Sequence, residues 1–167
     1  LQALAAPLDG CPPWVAQLDV VPADSPGVGD LLDALAEADR DVAVAEAKRL
    51  AAVLALVGVR SSESSSAERQ KADEIAHATG LSIFAAEGLI HRARMLAGPF
   101  EVFGAGLADG RVSFGHCLAL IAQTADVEDP DTLCAIAEAA IRHTHKVMSD
   151  FRTSVTAIIA EIDRDAL

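Results

Sequence analysis

The histidines are the first residues of this sequence to consider for chemistry, because imidazole binds metals and transfers protons near neutral pH. His143 and His145 stand two residues apart, but residues at that spacing point to different faces of a helix. Glu74 and His77 have the spacing of one half of a carboxylate di-iron site, yet no second such pair is evident. We therefore expect no metal, and we interpret His143 and His145 as part of a basic helix end.

His116 beside Cys117 suggests a base next to a thiol nucleophile. Adjacent residues of a helix diverge by roughly 100°, so the two side chains cannot meet in that role. Cys117 is better explained as a small buried residue. The sequence also contains no serine nucleophile elbow, no phosphate-binding glycine loop and no dinucleotide fingerprint. We expect a chain that is not an enzyme and that binds no cofactor.

The segment 72–93 has the pattern of two helices joined by a tight turn. Gly80 can adopt the positive φ that such a turn requires, and Ala76 is small enough for the second helix to cross close by. The apolar residues that would join the two helices are Ile75, Leu81, Ala86 and Leu89. This pattern predicts a helix-turn-helix-like unit over about residues 67–96, with Gly80 as a structural residue.

DNA recognition by such a unit needs polar side chains on the second helix and basic side chains near phosphates. The candidates for DNA contact are Arg69, Lys71, Ser82, His91, Arg92 and Arg94. Residues 66–97 carry four basic and four acidic side chains, whereas the segments on either side each carry a net charge of −6. Ile83, Phe84 and Phe100 instead suit contact with a protein, and we expect them to be exposed on a dimer or partner surface. DNA targeting and protein–protein interaction both stay open.

Proline, glycine and capping residues predict where the remaining elements begin and end. Five prolines predict a strap over residues 1–29 that wraps a single helical domain over residues 30–167. The expected helices cover about 30–57, 65–79 with a capping box of Ser65 and Glu68, 83–96, 100–108, 114–125 capped by Ser113, 130–143 with Pro130 in the first turn, and Ser149 to at least Asp163. In the first of these, apolar residues recur near helical spacing at Leu31, Leu35, Ala38, Val42, Ala45 and Leu50. Arg111 and His116 flank the start of the helix after Ser113, and we expect structural roles for them, in an ion pair and in a bond to a buried backbone group.

Composition favours a single compact all-α domain, because 167 residues can bury a core and the apolar residues are mostly Ala, Leu and Val rather than aromatic. A net charge of −12 disfavours nucleic-acid binding across the whole surface. Three widely spaced cysteines, Cys11, Cys117 and Cys134, indicate no disulfide framework and favour a reducing cytoplasm. No apolar run is long enough to span a bilayer, so we expect no membrane partner. The first residue is not Met, which suggests a fragment of a longer chain.

The run from Glu74 to Ala125 resembles the N-terminal domain of the actinobacterial 13E12-repeat family, known as domain of unknown function 222. The resemblance lies in the small-residue helix after Gly80-Leu81-Ser82, its Arg-Ala-Arg-Met-Leu end at 92–96, and the Leu-Ala-Asp-Gly-Arg-Val-Ser segment at 107–113 followed by His116. It implies a helical module that in many relatives precedes an HNH endonuclease domain. The implied role is DNA targeting or scaffolding, with DNA, a second copy or the catalytic domain of the same full-length chain as partner.

Overall fold

The computed structural model describes residues 27–59 and 65–165, and over these residues the regular secondary structure is all helical, as the sequence predicts. The helices are α1 (Val28–Val57), α2 (Ser65–Thr79), α3 (Ile83–Ala97), α4 (Glu101–Ala108), α5 (Phe114–Gln123), α6 (Pro130–Ala140) and α7 (Met148–Asp165), with a 3-10 turn at Ile141–His143. The predicted strap over residues 1–29 lies outside the described residues except at its last three positions. None of the described helices is long and apolar enough to cross a membrane.

Helix α1 begins two residues before the predicted start, because Gly27 serves as its N-cap. The Gly27 amide donates to Asp30 Oδ2 at 3.0 Å, so the first turn is closed by its own acidic side chain. The helix ends at Gly58, which has a φ of 75° and donates its amide to Leu54 O. The C-terminal glycine thus acts as the sequence predicts.

Helices α2 and α3 form the expected pair around Gly80, whose φ is 70°. The Leu81 amide donates to Ala76 O at 3.1 Å, which is the long bond of a Schellman helix end. Ser82 Oγ then accepts the Ala85 amide at 3.1 Å and starts α3. The expected capping box at Ser65 is wrong, because Ser65 already lies within α2.

The remaining helices begin at local signals, with two corrections to the predicted bounds. Asp129 caps α6 and Pro130 occupies its first turn, as expected. Helix α6 ends at Ala140 rather than His143, since residues 141–143 tighten into the 3-10 turn. Helix α7 begins at Met148, so Ser149 lies inside the helix rather than at its cap.

The core lies where α3 and α4 meet the layer formed by α5, α6 and α7. Its largest fully buried side chains include Phe100, Phe103 and Phe151, and the rings of Phe103 and Phe151 lie 6.2 Å apart between centroids. Phe100 is 0% exposed, so the prediction that it lies on a dimer or partner surface is wrong. The C-terminal half of α1 packs on this body through Leu50, Val53 and Val57.

Candidate interaction surfaces

A groove of about 380 Å³ lies between the end of α1 and helices α2 and α3. Four of the six candidates for DNA contact line it, namely Arg69, Lys71, His91 and Arg94. Two acidic side chains, Glu68 and Glu87, line it as well. The groove therefore presents both signs of charge rather than a continuous basic surface, and a phosphate backbone would meet carboxylates beside the cations.

Arg94 is engaged inside the protein. Its Nη1 lies 2.8 Å from Glu68 Oε1, and its Nε and Nη2 donate to Gly58 O and Val57 O at 3.4 Å. The side chain is 21% exposed. A guanidinium at the last carbonyls of α1 stabilises the negative end of that helix. Arg94 thus ties α1 to α2 and α3, and it is a structural residue as well as a groove residue.

Arg92 and Ser82 lie outside the groove. A Cβ built at Gly88 would lie 3.1 Å from Arg92 Nη2, which shows that the guanidinium folds back along α3 over the glycine. Ser82 Oγ is the acceptor that caps α3. Three of the six candidates, Ser82, Arg92 and Arg94, therefore make contacts within the protein. A side chain that reads DNA would have to give up such contacts.

The outer face of α3 is formed by residues at helical spacing, with Phe84, Glu87 and His91 all exposed. Phe84 is 84% exposed and is the most exposed large apolar side chain of the described residues. Ile83, which we expected beside it on the surface, is partly buried and packs on the core. An exposed phenylalanine and a glutamate on this face fit a protein surface better than a DNA groove.

A larger apolar surface lies on the first half of α1, and we call it the α1 stripe: Val28, Leu31, Leu32, Leu35 and Val42, which are between 38% and 76% exposed. Residues 28, 31, 35, 38 and 42 follow the alternating three- and four-residue spacing of a heptad repeat. The first buried residue of the helix is Ala43. The sequence pattern predicts this apolar face, but it does not indicate that half of the face lies outside the core.

The α1 stripe points away from the domain because α1 is held from its other side. A Cβ at Gly110 would lie 3.2 Å from Arg40 Cβ and 3.3 Å from Arg40 O, so the turn after α4 packs closely on Arg40. Residues 40 and 42 are two positions apart and therefore lie on nearly opposite sides of the helix. Packing of the turn on Arg40 leaves Val42 and the rest of the stripe facing outward.

His116 joins the start of α5 to the segment before α7. Its Nδ1 lies 2.7 Å from Ser113 Oγ, its Nε2 lies 3.4 Å from Lys146 O, and its ring meets Phe151 edge-on at 4.7 Å. With the proton on Nε2, the imidazole donates to Lys146 O and accepts from the Ser113 hydroxyl. The expected bond to a backbone group is therefore present, although the Lys146 carbonyl is only partly buried. Arg111 pairs with Asp109 at 2.8 Å on the surface.

His116 and Cys117, considered above as a base beside a thiol, make no hydrogen bond to each other among the described residues. Cys117 is buried, and burial raises the pKa of its thiol to about 12, so it stays protonated at neutral pH. Within the described ranges, no group of three or more His, Cys, Asp or Glu could hold a metal. The pKa of His143 is lowered, first by desolvation and then by the positive charges of Lys146, His145 and Arg142.

Comparisons of the chain with known protein families, with curated proteins and with solved structures find no match. The resemblance to the 13E12-repeat family stays a prediction.

Proposed function

We propose that this chain is a non-catalytic docking module that binds a protein partner through the α1 stripe. The observation that carries the proposal is the exposure of five large apolar side chains along one half of a helix, with Leu32 and Leu35 each 59% exposed. Burying a leucine contributes about 1.5–3 kcal/mol, so such a row is a ready source of binding free energy. Contiguous exposed apolar patches of this kind mark interaction sites.

The fold supports a scaffolding role. Seven described helices pack around one core, and the second half of α1 belongs to that core while the first half extends from it. A partner that covers the first half is therefore held by the same rigid helix that packs on α3 and α4. Cys117 and Cys134 are free thiols, which supports a location in the reducing cytoplasm.

The test is position-specific crosslinking in cells that make the full-length protein. A photoreactive amino acid at position 35 should give one discrete adduct with a protein, identified by mass spectrometry. The same amino acid at position 56 is the matched control, because Leu56 is 61% exposed on the same helix but outside the α1 stripe. Equal adducts from both positions, or none from position 35, would rule the docking proposal out.

DNA targeting is the second candidate function, favoured by the position of Arg69, Lys71 and His91 around one groove of the helix-turn-helix-like unit. The resemblance to the 13E12-repeat family implies the same role, in a chain that continues into an HNH endonuclease domain. Its test is fluorescence anisotropy with duplex DNA at low and physiological salt. Binding that weakens with salt and is lost in Arg69→Ala/Lys71→Ala would support it.

The matched control for the DNA test is Arg142→Ala/Arg152→Ala, which removes the same charge from exposed sites outside the groove. An equal loss of DNA affinity in both double variants would show only a general effect of net charge. No binding of the unaltered chain at either salt concentration would exclude DNA contact by this domain.

A further inference from the structure

The edges of the α1 stripe are acidic. In the heptad frame that places Leu35 and Val42 at position a, Asp39 falls at e and Asp41 at g, on the two sides of the stripe. Asp30 and Glu37 follow along the same side as Asp41, and all four carboxylates are exposed. Within residues 28–42 the only basic side chain is Arg40, which lies on the opposite side of the helix.

This charge pattern disfavours a second copy of the chain as the occupant. Two α1 stripes paired over residues 28–42 would bring together two helix segments that each carry five carboxylates and one guanidinium, a net charge of −4 on each. Like charges held this close together destabilise the pairing. Residues 1–26 are no better matched, because they contain Asp9, Asp19 and Asp24 but no Lys or Arg.

The geometry of the α1 stripe also limits the backbone conformation of the occupant. Beyond the first turn, the amides and carbonyls along the stripe are bonded within α1, so this part of the stripe offers side chains but no backbone partners. A segment that buries itself there must satisfy its own backbone hydrogen bonds. A helix does so, and residues 28–42 provide about 22 Å of helix length against which it can lie.

We propose that the occupant of the α1 stripe is an amphipathic helix of a partner protein, with apolar residues at heptad spacing and Lys or Arg along both edges of its apolar face. This inference rests on the docking function proposed above and adds the chemistry of the partner. The leucines of the stripe contribute affinity by burial, and Asp39 and Asp41 select a basic partner and set its register.

The test uses fluorescein-labelled peptides of about three heptads. One has Leu at a and d and Lys at e and g, a second has Glu in place of each Lys, and a third has Ser in place of each Leu. Anisotropy with the unaltered chain should show binding of the Lys peptide only, weakening as the salt concentration rises from about 50 mM to about 500 mM.

Two double variants with matched controls locate the site. Leu32→Gln/Leu35→Gln should weaken binding of the Lys peptide by about tenfold or more, whereas Leu56→Gln should leave it unchanged. Asp39→Asn/Asp41→Asn should weaken it by about threefold or more at low salt. Asp126→Asn/Glu128→Gln removes the same charge from an exposed loop elsewhere and should have no such effect.

The outcomes separate the two proposals. Equal binding of the Lys and Glu peptides, both lost in Leu32→Gln/Leu35→Gln, would leave docking on the stripe intact and overturn the basic partner. Binding of the Lys peptide that is unchanged in Leu32→Gln/Leu35→Gln would overturn both proposals. Sedimentation showing a dimer that Leu32→Gln/Leu35→Gln dissociates would replace the basic partner with a second copy. A marked loss of thermal stability in that variant would instead show that the chain itself covers the stripe.

Discussion

Arg94→Ala should destabilise the fold even though Arg94 lies at the edge of a surface groove. The change removes an ion pair with Glu68 at 2.8 Å and the cation beside Val57 O and Gly58 O at the end of α1. A partly exposed ion pair contributes up to about 1 kcal/mol, and a cation at a helix end contributes about 0.3–1 kcal/mol. The two 3.4 Å bonds are long and contribute little beyond that. The expected loss is about 1–2 kcal/mol in the free energy of unfolding.

For a domain of this size, each kcal/mol shifts Tm by roughly 2–4 °C, so the expected decrease is about 2–8 °C. Circular dichroism at the helical band during heating measures it. Arg92→Ala is the matched control, because that guanidinium folds over Gly88 of its own helix. Its Tm should change by less than about 2 °C.

Glu68→Gln and the double variant with Arg94→Ala complete a cycle that isolates the ion pair. Equal decreases in Tm for Arg94→Ala and Arg92→Ala, or no coupling with Glu68, would refute the structural role of Arg94. The result also decides how DNA binding should be tested. If Arg94 stabilises the fold, loss of DNA binding in its variants reports on folding, and Arg69 and Lys71 are the residues to change.

Phe103→Ala should cost about 3–5 kcal/mol in urea unfolding, because the ring is fully buried, whereas Phe84→Ala should stay within about 0.5 kcal/mol. At pH 8, Cys134 should react with a thiol reagent while Cys117 stays unmodified until the protein unfolds, as peptide-resolved mass spectrometry would show. The pKa of Asp129 is lowered, mainly by hydrogen bonds from the Thr132 hydroxyl and the Thr132 amide. The stabilisation of the fold by the Asp129 carboxylate should therefore be full above the ordinary aspartate pKa of about 3.9, and it should be lost as the pH falls through the lower pKa of the folded protein. The free energies of unfolding of Asp129→Ala and of the unaltered chain, measured in urea, should therefore converge in strong acid. Three results would contradict the structure: modification of Cys117 in the folded protein, a large loss of stability in Phe84→Ala, or a difference between Asp129→Ala and the unaltered chain that does not change with pH.

The sequence by itself determined the all-helical fold and most helix boundaries, because those signals act within a few residues. Gly80 takes the predicted positive φ, Ser82 and Ser113 cap the helices that follow them, and Pro130 stands in a first turn. The predicted caps at Ser65 and Ser149 are wrong, because both residues lie inside their helices. Ser149 resembles a cap in sequence, but α7 already begins at Met148.

Only the tertiary structure decided which surfaces are open, because burial depends on contacts between residues far apart in the chain. Phe100 is as apolar as Phe84, yet the first is buried where α3 and α4 meet and the second faces outward. Arg94 meets Gly58, 36 positions earlier, so its engagement is invisible to local patterns. The α1 stripe shows the same limit. Its heptad spacing can be read from the sequence, but periodicity specifies a face of a helix and cannot specify how much of that face the rest of the chain covers.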